Sequence, residues 1–214
     1  MKIIKFIIPL SMLLLLTACS FGESTEEKLS NVLTEIYETE KGYREVQPLL
    51  AETELKELTN FQSMMELTQD QQDELSAQVE ATATLLEERL ALVKKEKESI
   101  AKANEKLVDL EAVISDAKEE SDKESIRLVE EALKNRYAAH DKLVEQYNSL
   151  ASLQESLYNM LVDEEANVTS IQEKVAEVNK QNEVVQQSVK EFNDLTTHLN
   201  EVKDQAFSTL QNQE

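Results

Sequence analysis

The sequence contains no tryptophan, one cysteine, two histidines, two glycines and two prolines. A single cysteine excludes an intrachain disulfide framework. The shortage of glycine and proline excludes most strand-rich folds, which need these residues at their turns. Between Leu49 and Glu214 there is neither. The same absence excludes the glycine-bearing α/β fold of transporter solute-binding lipoproteins and the glycine loops that cradle phosphate. The two histidines, His140 and His198, have no cysteine partners, and no Glu stands three residues before either. The paired Glu-x-x-His motifs of a di-iron bundle are therefore missing. No serine, cysteine or lysine sits beside a base in a recognisable nucleophile motif. The expectation is a non-enzymatic chain with no catalytic residue, no metal site and no cofactor.

Basic residues are also scarce. Against 43 Asp and Glu there are 22 Lys and Arg, a formal charge of −21. A surface of that sign does not favour nucleic acid or anionic lipid. It is also repelled by phosphate-rich wall polymers unless divalent cations bridge the two.

Of what is present, the first nineteen residues are the most specific. Lys2 and Lys5 make a positive start, and Phe6 to Leu16 form an apolar run interrupted only by Pro9 and Ser11. Leu16-Thr17-Ala18-Cys19 closes it, with a small residue directly before the cut. An aliphatic residue, two small residues and a cysteine after such a run form a lipobox. Residues 1–18 are therefore expected to be removed as a signal peptide, and Cys19 to carry diacylglycerol through a thioether. The apolar run is only about half of the roughly twenty residues that a membrane span needs. Two or three long acyl chains of the palmitate type hold a protein stably on a membrane, where one chain is marginal. The expected location is the extracytoplasmic face of a cell membrane, through a lipid anchor. Cleavage takes away two lysines and no acid, so the formal charge falls from −21 to −23.

The remainder predicts an all-α fold: an elongated antiparallel bundle of four arms, the first kinked near Pro48. After a tether over 19–24, a single domain is expected over 25–214, with arms at about 25–67, 69–118, 122–162 and 169–212. Ser24 with Glu27, Thr68 with Gln71, Ser121 with Glu124 and Thr169 with Gln172 all match the capping box that starts a helix. In the first arm the expected apolar face after the kink is Leu50, Leu55, Leu58, Phe61 and Met65. In the second, Val79, Leu86, Val93, Ile100, Leu107 and Ile114 fall seven apart. Their partners are Ala83 and Leu90 early and Ala103, Leu110 and Ala117 later, a drift that 3.6 residues per turn imposes on a seven-residue repeat. The third stripe runs from Ile126 to Leu161, the fourth from Ile171 to Ala206. No arm is apolar all round, so each needs partners. At 1.5 Å per residue the arms are roughly 60–75 Å long. A long two- or three-stranded coiled coil that dimerises is the rival arrangement, and the oligomeric state stays open. Lys97, Asn104, Arg136 and Asn182 in the partner rows count against a strict zipper.

Candidate contact residues are few. Asp163-Glu164-Glu165 reads first as a solvated joint and second as a weak Ca²⁺ or Mg²⁺ site. His140 and His198 read as packed or boundary residues. Tyr137 and Tyr147 keep stripe spacing and read as core. Tyr158, beside Leu157 near the far tip, is the candidate contact for a sugar if its ring is exposed.

The lipobox, Tyr43-Arg44-Glu45-Val46-Gln47-Pro48-Leu49, Lys94-Lys95-Glu96-Lys97-Glu98-Ser99-Ile100, Asn135-Arg136-Tyr137, Leu157-Tyr158-Asn159-Met160-Leu161, Val178-Asn179 and Phe192-Asn193-Asp194-Leu195-Thr196 recur in order. With these the chain resembles the YkyA-type family of cell-wall-binding lipoproteins of Gram-positive bacteria. The resemblance implies a wall-facing lipoprotein that contacts wall polymer or an envelope protein, and transfers no catalytic site. A lipid-tethered coiled-coil module, or an accessory subunit of a membrane complex, is the alternative.

Overall fold

The computed structural model describes residues 23–68 and 70–211. The expected signal segment 1–18, with Leu16, Thr17 and Ala18 of the expected lipobox, and the expected anchor Cys19 lie outside the described residues. Among the described residues all regular structure is helical: α1 (Thr25–Thr39), α2 (Lys41–Met64), α3 (Gln72–Glu105), α4 (Val108–Asp116), α5 (Glu120–Leu161) and α6 (Val168–Gln211). None of these helices is long and apolar enough to cross a membrane.

The six helices make four arms, α1–α2, α3–α4, α5 and α6, running antiparallel. Two contacts fix the sense. Lys28 of α1 meets Asp116 at the end of α4 at 2.7 Å, and the Gln211 amide donates to Glu26 at 2.8 Å. The start of the first arm, the end of the second and the end of the fourth thus share one end of the molecule.

The Ser24 box forms in full: its hydroxyl accepts from Glu27 N–H and the Glu27 carboxylate accepts from Ser24 N–H. The other expected boxes differ. Gln71 reaches back to Thr68 N–H, but the Thr68 hydroxyl donates to Asp70 and Gln71 rather than capping. Helix α5 starts at Glu120, with Glu119 before it in extended backbone and making no side-chain cap, so Ser121 already lies inside it. Glu120 and Asp122 in that first turn suit the positive end of the helix dipole. Helix α6 begins one residue before Thr169, because Asn167 accepts from Ser170 N–H at 2.9 Å.

The helix break in the first arm is not at Pro48, where the sequence predicts a kink. It is at Glu40, eight residues earlier, and Pro48 lies inside α2. Pro48 sits on the exposed face, where the carbonyl at Arg44 that loses its donor can turn to water. Tertiary contacts fix the break at Glu40 instead. Its carboxylate is buried against Arg136 and Tyr137, and the Ser99 hydroxyl donates to Thr39 carbonyl at 2.9 Å. Gly42 lets α2 approach α3 here, since a β-carbon would stand 3.1 Å from Ser99.

The second arm is also interrupted, at Lys106 and Leu107. There the bonds shorten to i→i+3, from Lys106 N–H to Ala103 and from Leu107 N–H to Asn104. The tighter turn re-aims the drifting stripe, so that Leu107, Leu110, Val113 and Ala117 all stay buried.

The core differs along the length. Toward the N-terminal end one cluster draws on all four arms: Leu29 and Ile36, Ile100 to Val113, Ile126 to Tyr137, and Leu199 to Leu210. Toward the far end the cluster of Met64, Val79, Leu86, Ala151 and Tyr158 joins only α2, α3 and α5. There α6 leans on α5 alone, and α2 makes no extended contact with it. The last ring contact between these two helices is Tyr43 with Phe192 at 5.9 Å. Beyond it the bundle opens.

Because Pro48 is carried within a helix and does not end it, Pro48→Ala should raise stability by about 1–3 kcal/mol, less than the full helix-interior cost since proline also restricts the unfolded chain. Urea denaturation measures this. A loss of stability would show that Pro48 shapes the break after all.

Candidate functional site

The opening produces a cleft of about 560 Å³ between α2 and α6, with α3 and α5 as its floor. A smaller hollow of about 210 Å³ adjoins it toward the Tyr43–Phe192 contact and shares Glu54, Tyr147 and Val189 with it. Clefts of this size between bundle helices are where ligands commonly bind.

The sequence of α3 explains the floor. The buried row Ala103, Leu110, Ala117 continues backward at the same seven-residue interval to Glu96, Arg89 and Thr82, all three buried. Polar side chains thus occupy core positions in the far half. Arg89 is 4% exposed and meets the Glu57 carboxylate at 3.3 Å and the Gln154 side-chain carbonyl at 2.5 Å. The Tyr158 hydroxyl donates to the other oxygen of Glu57 at 2.9 Å. The Tyr147 hydroxyl donates to Glu54, and the Arg89 guanidinium lies 5.1 Å over the Tyr147 ring.

Burial sets the protonation chemistry. It pushes the Glu57 carboxyl above its ordinary range, against the pull of Arg89 and the Tyr158 hydrogen bond. It also pushes the Tyr147 and Tyr158 hydroxyls far up, helped by the neighbouring carboxylates, so both are neutral donors.

Nearer the N-terminal end a second polar layer sits at the point where the bundle closes. The Glu40 carboxylate takes Arg136 at 2.6 Å and the Tyr137 hydroxyl at 2.7 Å, and Arg136 also donates to Thr196 at 3.0 Å. His140, fully buried, meets Glu96 at 2.7 Å and lies edge-on to Tyr43 and Phe192. These bonds cross between arms, so they tie the closed half together and are not open to a ligand.

The residues singled out from sequence fall in different places. Tyr158 is 4% exposed, so it is not an outward contact at the tip; its buried ring forms part of the cleft floor. Tyr137 is core, and Tyr147 is half-buried at the floor. His140 is core, whereas His198 is exposed beside Glu201. Asp163 accepts from Glu165 N–H at 3.0 Å and so shapes its own turn. No group of three metal-ligating side chains gathers among the described residues.

The expected apolar face of α2 is corrected. Leu50 is buried and Phe61 half-buried, but Leu55, Leu58 and Met65 are exposed. Thr53, Glu57 and Met64 are buried in their place. Helix α2 is turned so that Glu57 reaches Arg89, which leaves three apolar side chains exposed. Continuing the α3 row backward by sevens to Arg89 and Glu96 is the signal that would have found these residues.

On the opposite wall α6 presents two neighbouring rows. One is apolar: Val178, Val185 and Val189. The other is made of amides: Asn179, Asn182 and Gln186. Among the described residues no serine, threonine, cysteine or histidine lines the cleft. Its two glutamates stand on one wall, each held by a tyrosine, whereas glycoside hydrolysis needs two carboxylates across the bond.

The comparisons with known proteins agree with this architecture. The family model described as "Putative cell-wall binding lipoprotein" (YkyA) matches residues 24–209. The "Uncharacterized lipoprotein YkyA" of Bacillus subtilis (strain 168) is 24% identical over 197 residues, covering 92% of this chain and 88% of that protein. A 1.6 Å crystal structure of a conserved protein of unknown function from Staphylococcus aureus superposes with a TM-score of 0.70 at 14% identity, over 86% of this chain and 96% of that one. That likeness is one of fold.

Removing Arg89 alone leaves a buried carboxylate unpaired. Arg89→Leu should lower stability by about 3–5 kcal/mol, and adding Glu57→Leu should restore at least half of the loss. Denaturant titration of the two variants decides. A double variant no more stable than the single one would show that the pair is not what the far half is built around.

Proposed function

The chain belongs to the YkyA family of lipoproteins, and we propose that it is held on the extracytoplasmic face of the membrane through Cys19 and binds a component of the cell envelope, without catalysis, in the cleft between α2 and α6. The observation that carries the reading is the asymmetry of the bundle. Its four arms are zipped together at the end that carries the N-terminus and part beyond Tyr43 and Phe192. The opening is thereby at the end away from the anchor. It is lined by apolar side chains and the uncharged amides of α6, with Glu54 and Glu57 on the α2 wall and Arg89 paired to Glu57 below, a mixed surface that suits binding. The lipobox supports the location, and the family's description supports the envelope as the place of binding.

The alternative, a tethered module for a membrane protein complex, draws on the exposed apolar residues of α2. Leu55 and Met65 are 64% and 61% exposed and lie outside the cleft lining.

The test is retention of the full detergent-solubilised chain on purified peptidoglycan sacculi, with and without wall teichoic acid and with and without Ca²⁺. Retention is expected, and the double variant Leu58→Glu/Val189→Glu should reduce it about tenfold or more. Both side chains are exposed on opposite cleft walls, so the fold should tolerate the change. Absence of retention under every condition would refute wall binding and favour the membrane-complex reading. Equal retention of the variant would refute the cleft as its site.

A further inference from the structure

Resting on the reading of an envelope-binding cleft, we infer that its ligand is the neutral, N-acetylated sugar backbone of the wall and not its phosphate-bearing polymers.

The α6 wall carries the first part of the case. Asn179, Asn182 and Gln186 lie at helical spacing along the cleft, and all three are exposed. None of them makes a side-chain hydrogen bond to the protein. In contrast, Gln154 and Gln181 on the same pair of helices are engaged. Each amide offers one acceptor and two donor hydrogens without a charge. Three unused amides in line suit a ligand rich in neutral hydrogen-bonding groups.

The second part is the adjoining apolar surface. Val178, Val185 and Val189 run beside the amides, and Leu58 and Phe61 face them from α2. An acetamido group presents one N–H, one carbonyl and one methyl. A pyranose ring adds an apolar face and a hydroxyl edge. Alternating amides and valines match that combination, and the half-buried rings of Phe61 and Tyr147 supply flat apolar surface for the sugar face. From Asn179 to Gln186 the helix rises about 10 Å, room for about two linked rings.

The third part is charge. The one cation of the cleft, Arg89, is buried and already committed to Glu57 and Gln154. With Glu54 and Glu57 on the same wall, the cleft offers a polyanion no uncommitted cation among the described residues. The chain as a whole, at −21, repels one. A helix from a partner protein would satisfy the valines but leave the amide row without a role.

The experiment titrates three probes into the full lipidated chain held in lipid nanodiscs, by isothermal calorimetry. The probes are a β-1,4-linked N-acetylglucosamine tetramer, cellotetraose and a glycerol-phosphate oligomer. The acetylated tetramer should bind about tenfold or more tighter than cellotetraose, and Asn182→Leu should cost about tenfold with unchanged thermal unfolding. The glycerol-phosphate oligomer should neither bind nor compete. Equal affinity for the two sugars, or displacement by the oligomer, would overturn the inference. If neither sugar binds while sacculi still retain the chain in a Leu58- and Val189-dependent way, the sugar assignment fails and the envelope-binding reading stands. If sacculi do not retain it either, both fail. Saturable binding of a fluorescent fatty acid, lost in Leu58→Glu and without any sugar binding, would overturn the inference in favour of an acyl occupant.

Discussion

A charged side chain inside a helical bundle must be paired, and the rest of this molecule follows from that requirement on one row of α3. Thr82, Arg89 and Glu96 stand at the positions that an apolar repeat would fill. An unpaired buried ion costs several kcal/mol, so each charged member recruits a partner from another arm. Arg89 takes Glu57 from α2 and Gln154 from α5, while Glu96 takes His140 from α5. These bonds fix the rotation of α2 about its axis, the register of α2, α3 and α5, and the level at which the four arms separate. Closing α2 and α6 over the far half would strip the remaining water from Glu54, Arg89 and the amides of α6. In the N-terminal half, leucine, isoleucine, valine and alanine fill the same space, and the bundle is closed.

The sequence shows the fold clearly and the cleft poorly, for identifiable reasons. Near-absence of glycine and proline, together with heptad spacing from Val79 to Leu107, points to long packed helices, and those residues are all buried. Ser24 announces the first cap because both halves of its box are local. Hydrophobicity misleads where an ion pair decides which face turns inward: Leu58 looks like core and Glu57 like solvent, and the reverse holds. Pro48 misleads in the same way. Local propensity marks it as the break, but Glu40, tied to Arg136 and Tyr137 across about a hundred residues of chain, is where the helix yields. Tyr158 is legible as a site residue only in part: it belongs to the cleft, yet through its buried hydroxyl on Glu57 and not as an exposed ring.

The charge of the chain and the chemistry of the cleft fit together. A formal −21 keeps the arms soluble and holds polyanions away. The cleft, by contrast, has neutral amides and valines along α6 and a neutralised arginine below. In the proposed reading, discrimination between a neutral ligand and an anionic one is a property of the whole surface, and recognition is confined to one opening. The described chain begins at Glu23 at the closed end, and arms of 42 and 44 residues set the opening off from there by tens of ångströms, at about 1.5 Å per residue.

The central claim is that α2 and α6 are zipped at the N-terminal end and parted at the other. Paired cysteines measure this directly, because Cys19 is the only native cysteine and is expected to be lipidated. Spin-labelled Glu26→Cys with Gln211→Cys, whose native side chains meet at 2.8 Å, should give a short inter-label distance by pulsed electron paramagnetic resonance. Leu58→Cys with Asn179→Cys, on opposite walls of the cleft, should give a clearly longer one. Equal distances for both pairs would contradict the open cleft.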